Sequence, residues 1–313
     1  MSLDVLTHRL FDYAGMFPPA ALSFDDAVQT SAGFINKLQR PSLVAADLVL
    51  TPPNLEKVTP EVLQDAGFQE GRPVTICKVG VPAADGPAAA EALLARNAVY
   101  RDDAVPHRVV ALELHTDDPA TDQDALAATA AALAPNDVAL YFEPKWDDAT
   151  WKERLPDALA TWDALAAAGH TLGLKARCAG PTAVSHNTLA RILAAASERR
   201  RPLKLTQGLH HPFPADPRYD NEHGFLNTAI ALRLHQVHGL GHDDLVACLT
   251  DTDAGNFTLH DGLGWGHHRL MAQRARDAMT WVPLSIGSCS LDEPDADLAE
   301  LGPAKGMGWS LLD

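Results

Sequence analysis

Two lysines sit inside apolar, strand-like runs: Lys175 in Leu172–Cys178, and Lys204 in a stretch that runs Pro202-Leu203-Lys204-Leu205-Thr206-Gln207-Gly208-Leu209-His210-His211-Pro212. An ammonium group stranded among apolar neighbours is costly unless it is paired or wetted. Two such lysines, one helix apart in sequence, predict a shared polar cavity. Side chains alternate across a strand, so residues two apart share a face. That rule places Glu113 with His115, Glu143 with Tyr141 and Lys145, Lys175 with Arg177, and Lys204 with Thr206, while Lys78 stands near the end of its own strand. The expectation is a mouth where Lys78, Lys175, Arg177 and Lys204 meet Glu113 and Glu143.

A cationic mouth favours a small anionic substrate, a carboxylate or a phosphate ester, with Arg177 suited to grip it bidentately. Lys78, Asp12 and Ser288 join Arg177 as candidate substrate-binding residues. Crowded cations disfavour one another's charge, and burial adds to the effect, so one lysine is expected to lose its proton near neutral pH. A neutral amine forms a Schiff base with a carbonyl. Lys204 or Lys175 would be the nucleophile, with Glu113, Glu143 or His210 moving protons. The competing reading makes Glu113–Lys175 and Glu143–Lys204 plain structural ion pairs, since such networks imitate active sites.

His210-His211-Pro212 offers imidazoles for proton transfer or metal binding. No cofactor motif is visible; a divalent metal remains an alternative, with His210, His211 and His223 as its ligands beside Glu113 or Glu143. The bland reading is a loop histidine that caps the following helix. Gly287-Ser288-Cys289-Ser290 could hold an anion on backbone amides, although the acidic helix start at Asp292-Glu293 opposes this and a tight turn explains it equally. Cys289 has no base partner that sequence can assign.

These residues need elements to position them. Strand candidates are Leu10–Gly15, Leu43–Leu50, Val74–Val79, His107–His115, Val138–Pro144, Leu172–Cys178, Leu203–Thr206 and Val282–Gly287, with alanine-rich helices between them. Thr59-Pro60-Glu61 reads as an N-cap with proline at the first helical position, and Gly67 as the stop. Thr121 with Asp124 resembles a capping box. Helices are expected at Trp151–Ala168, Asn187–Arg199 and Glu222–Val237.

Strand–helix alternation predicts an α/β fold, a TIM-type (β/α)8 barrel spanning 1–313 as a single domain, where catalysis occurs at the carboxyl ends of the strands. An open doubly wound sheet is the runner-up, but its glycine-rich fingerprint is missing. Phe257–Leu270 reads as a hairpin insertion before the last helix, and the stiff Pro212–Pro217 segment as a cover for a pocket.

The formal charge of −16 argues against nucleic acid and anionic membranes as partners. No apolar run of membrane-spanning length and no basic leader is visible, and Cys77, Cys178, Cys248 and Cys289 lack metal or disulfide spacing, so a cytoplasmic protein with reduced thiols is expected. The oligomeric state stays open, a homo-oligomer included.

Three motifs, Phe11-Asp12-Tyr13-Ala14-Gly15-Met16-Phe17-Pro18-Pro19-Ala20, Lys204 to Pro212, and Gly287-Ser288-Cys289-Ser290-Leu291-Asp292-Glu293-Pro294, resemble those of a family of uncharacterised bacterial proteins over nearly the whole chain. That likeness implies no particular reaction. Lys175 and Lys204 more loosely resemble the paired lysines of class I aldolases of the deoxyribose-phosphate type, over about two strands. This likeness implies a Schiff-base lyase in which one lysine reacts and the other lowers its pKa. Arg177 has no counterpart there, and the glycine-rich phosphate loop of those enzymes is not recognisable. Two further functions stay open: metal-dependent enolisation, isomerisation or hydrolysis, and a barrel that binds a small ligand without turnover.

Overall fold

In the computed structural model, which describes residues 6–37, 47–71, 73–103, 105–214, 223–260 and 262–301, eight parallel strands close into a barrel. They are β1 (Phe11–Tyr13), β2 (Leu48–Leu50), β3 (Val74–Pro82), β4 (His107–Thr116), β5 (Ala139–Pro144), β6 (Gly173–Arg177), β7 (Leu203–Thr206) and, after a small separate sheet, β11 (Leu284–Ser288). Each barrel strand pairs with its sequence neighbour, and β11 closes the ring between β7 and β1. The TIM-type barrel read from the strand–helix alternation is the architecture observed.

The helices that bear on the site are α1 (Phe24–Lys37), α2 (Pro52–Leu55), α3 (Pro60–Asp65), α4 (Gly86–Val99), α5 (Gln123–Leu133), α6 (Asp148–Ala167), α7 (His186–Arg199), α8 (Phe225–His238), α9 (His242–Thr250), α10 (Ala272–Trp281) and α11 (Asp292–Leu301). Their ends follow local chemistry. The Thr59 side chain accepts from the amide of Val62, with Pro60 in the first turn, as the sequence suggested. Asp147 and Ser185 cap α6 and α7 in the same way. Thr121–Asp124 is not a capping box: the residue before α5 is Asp122, whose carboxylate instead takes the Thr116 hydroxyl at 2.6 Å.

Apolar packing divides into two layers. A large core lies between the outer strand faces and the helices, and a small one inside the barrel comprises Ala14, Val49, Cys77, Val79, Ala111 and Tyr141. The inner cluster leaves the remaining barrel interior to charged side chains.

Three differences from the sequence reading matter. The expected hairpin is a three-stranded antiparallel sheet, β8 (Phe257–Thr258), β9 (Leu263–Trp265) and β10 (His268–Leu270), which precedes α10 and the last barrel strand. Strand β3 is longer than predicted and carries register shifts around Cys77 and between Lys78 and Val81, where Gly80 takes a φ of 79°. Residues 43–46, 215–217 and 222 of the expected elements, and Asp261 of the expected turn, lie outside the described residues.

Candidate active site

Strand register brings the two lysines side by side. Lys175 on β6 pairs directly with Lys204 on β7, and both point into the barrel, as do Arg177 and Thr206 one pleat further on. Glu113 from β4 lies between them. Its Oε2 accepts from Lys175 Nζ at 2.5 Å and its Oε1 from Lys204 Nζ at 2.6 Å. Glu143 from β5 extends the chain, with Oε2 at 2.9 Å from Lys175 Nζ and Oε1 accepting from Arg177 Nε. Beneath, Asp12 Oδ2 takes Lys204 Nζ at 2.5 Å, and the Cys77 thiol donates to Glu113 Oε1 at 2.9 Å while facing Lys204 at 3.3 Å.

Three carboxylates thus match three cations in one continuous network. The network is charge-balanced, and the consequence for protonation reverses the sequence expectation. Burial pushes the Lys175 amine down, but Glu113 and Glu143 outweigh it and raise its pKa. Lys204 behaves alike: burial lowers it, Asp12 leads the opposing contributions, and the net shift is far upward. Burial pushes Glu113 up, yet Lys175 and then Lys204 hold it at about 2. Glu143 is also held low against its burial, chiefly by Lys175 and Arg177. Crowding does not neutralise either lysine because Glu113, Glu143 and Asp12 pair with them, and the expected Glu113–Lys175 ion pair is present.

Above the network is a cavity of about 630 Å³ at the carboxyl ends of the strands. Glu113, His115, Glu143, Lys145, Lys175, Arg177, Lys204 and His210 all reach it, and Phe17, Pro18, Pro19, Val49 and Val79 form its apolar side. Lys175 keeps 9% side-chain exposure and Lys204 only 2%, so Lys175 presents the more accessible amine. Arg177 is 32% exposed and uses only Nε in the network.

Other candidates fall elsewhere. Lys78 does not line the mouth. Its neighbours Cys77 and Val79 take the inward positions, which turns Lys78 outward toward Glu56 and Arg96, where burial lowers its pKa. Ser288 occupies an outward position too, and its hydroxyl donates to the Ser290 carbonyl at 2.6 Å, closing a turn. Asp12 lies below the cavity as the partner of Lys204 rather than as a substrate contact. The three histidines do not converge: His210 faces Glu293 at 3.4 Å, His211 pairs with Asp297 at 2.8 Å, and His223 donates from Nε2 to the Val184 carbonyl at 2.9 Å. Among the described residues no group of three or more His, Cys, Asp or Glu side chains is arranged to hold a metal ion. The carbonyls of His211 and Pro212 accept the first amides of α8, so the loop meets that helix through its backbone and not through a capping histidine side chain.

Sequence reasoning missed Cys77, whose signal was the alternation of β3 itself, and gave Lys145 and the Phe17–Pro19 wall no role. The four cysteines are free, and no described helix is long and apolar enough to cross a membrane. No family model and no curated protein matches the chain.

Proposed function

We propose that the barrel is a Schiff-base lyase that makes or breaks a carbon–carbon bond in a small anionic carbonyl compound, with Lys175 as the nucleophile. The observation that carries this reading is the position of the Lys175 amine: at the cavity floor, on two carboxylates, and next to a second, more deeply buried lysine. The looser likeness of this lysine pair to that of class I aldolases supports the reading by analogy.

In the resting protein Lys175 is an ammonium. To attack, it must pass a proton to a carboxylate, and its short contacts to Glu113 and Glu143 provide the path. Substrate binding expels water and so weakens the support of both charges, which favours the neutral amine and neutral acid. Lys204 contributes from the other oxygen of Glu113, where it draws negative charge away from Lys175. The neutral amine adds to the carbonyl carbon, the oxygen takes a proton, and water leaves the carbinolamine. The resulting iminium accepts the electron pair of the breaking carbon–carbon bond. Glu143, nearest the cavity, moves protons at the adjacent carbon, and Arg177 holds the anion.

Borohydride reduction of the protein in the presence of aldehydes, ketones and keto acids tests the reading. A stable adduct that Lys175→Met abolishes and Lys204→Met slows supports it. Equal labelling of wild type and Lys175→Met contradicts it.

A further inference from the structure

If Lys175 forms the Schiff base as proposed above, the neighbouring residues also limit where the substrate's negative charge sits. Glu143 spans Lys175 and Arg177, one carboxylate oxygen to each, which holds the amine and the guanidinium about 4–6 Å apart by ordinary hydrogen-bond lengths. Arg177 spends only Nε on Glu143; among the described residues its two Nη groups have no bonded partner, and the side chain is 32% exposed where it lines the cavity. Lys145 stands on the same rim and forms no ion pair with a described residue. An anion on this edge therefore lies within one or two bonds of the carbon attached to Lys175.

The arc of the mouth beyond β7 is unsuited to a second, more distant anion. The loop after β11 leads into α11, whose first turn holds Asp292, Glu293 and Asp295. Those carboxylates already neutralise the positive pole that would seat a phosphate dianion. Glu293 also reaches His210 at the cavity edge. Of the remaining wall, the side formed by Phe17, Pro18, Pro19, Val49 and Val79 accepts an apolar or uncharged group, and Thr206, Gln207 and Gly208 are polar without carrying charge.

We infer that the substrate that forms the Schiff base is a 2-oxo acid with a small side chain, its carboxylate on the free Arg177 Nη groups and its adjacent carbonyl carbon at Lys175 Nζ. Attack forms the nitrogen–carbon bond at C2, the C2 oxygen leaves as water, and the electron-poor iminium lets C3 lose a proton to Glu143. A sugar phosphate, with its charge several bonds from the carbonyl, fits this arrangement poorly.

The test compares borohydride labelling of Lys175 by pyruvate, methyl pyruvate, acetone and glyceraldehyde 3-phosphate, read by mass spectrometry of the Lys175 peptide. Pyruvate is expected to label fastest, ahead even of its methyl ester, which has the more electrophilic ketone but no charge. In Arg177→Gln the ratio of pyruvate to acetone labelling should fall about ten- to a hundredfold, the loss expected for a charge-assisted bidentate contact. Faster labelling by the ester or the phosphate, or an unchanged ratio in Arg177→Gln, overturns the substrate class and leaves the Schiff-base reading standing. No label on Lys175 from any of the four removes both. The comparison of probes on wild type decides the matter should Arg177→Gln not fold.

Discussion

Replacing Lys204 by methionine removes the one cation that Asp12 contacts among the described residues and half the charge pairing of Glu113. Both carboxylates stay buried, and methionine has similar length but no donor to offer them. Breaking one side of a buried ion pair costs about 3–5 kcal/mol, because a charge is left without compensation. With an unfolding entropy of about 2 cal/mol/K per residue over 313 residues, that loss lowers the midpoint by about 5–8 °C. Restoring neutrality with Asp12→Asn in the same protein should recover part of the deficit, since the two sites are in contact and therefore non-additive. Acid should narrow the gap as well. Without Lys204, Glu113 keeps only Lys175 against its burial and takes up a proton at higher pH than in the wild type, where it resists to about 2. Urea unfolding of wild type, both single variants and the double variant between pH 3 and 8 measures all of this. A loss under about 1 kcal/mol at pH 7, or one that does not change with pH, would refute the charge-network account.

Other outcomes follow from the same geometry. The burial that dominates around His223, with His186 adding to it, holds its pKa at about 4 against an ordinary 6.5, so the unfolded chain binds the proton first. Stability should be complete above about pH 6.5 and fall by about 3 kcal/mol as pH drops to 4; His223→Gln should flatten that slope, and an unchanged slope would count against it. A methyl group on Gly173 would lie 2.5 Å from the Tyr141 ring and 2.8 Å from the Pro202 carbonyl, so Gly173→Ala should cost about 1–3 kcal/mol in thermal unfolding, and a wild-type midpoint would show that the inner layer yields. Lys78→Met should leave adduct formation and substrate affinity unchanged, because Lys78 faces the helices; a loss of anion affinity would place it back in the mouth.

Much of the site was legible because strand alternation is a strict rule. Glu113 with His115, Glu143 with Lys145, Lys175 with Arg177 and Lys204 with Thr206 all face the cavity as read from spacing alone. The same rule went astray at β3 because no apolar period marks which face of a doubly buried strand is inner, so Lys78 was chosen and Cys77, next to it, passed over. Pairing across the barrel was not legible either. Sequence suggested Glu143 as the partner of Lys204, but its partners are Glu113 and Asp12, the latter 192 residues away and brought into contact by barrel closure. The histidine loop misled for a related reason: adjacent residues in an irregular segment point apart, so His210 and His211 serve different neighbours.

The amine at the cavity floor should react while its deeper neighbour does not. Peptide mapping of the protein after borohydride reduction with a bound carbonyl compound tests it most directly. The adduct should fall on Lys175; an adduct on Lys204 or Lys78, or none at all, would rule Lys175 out as the nucleophile.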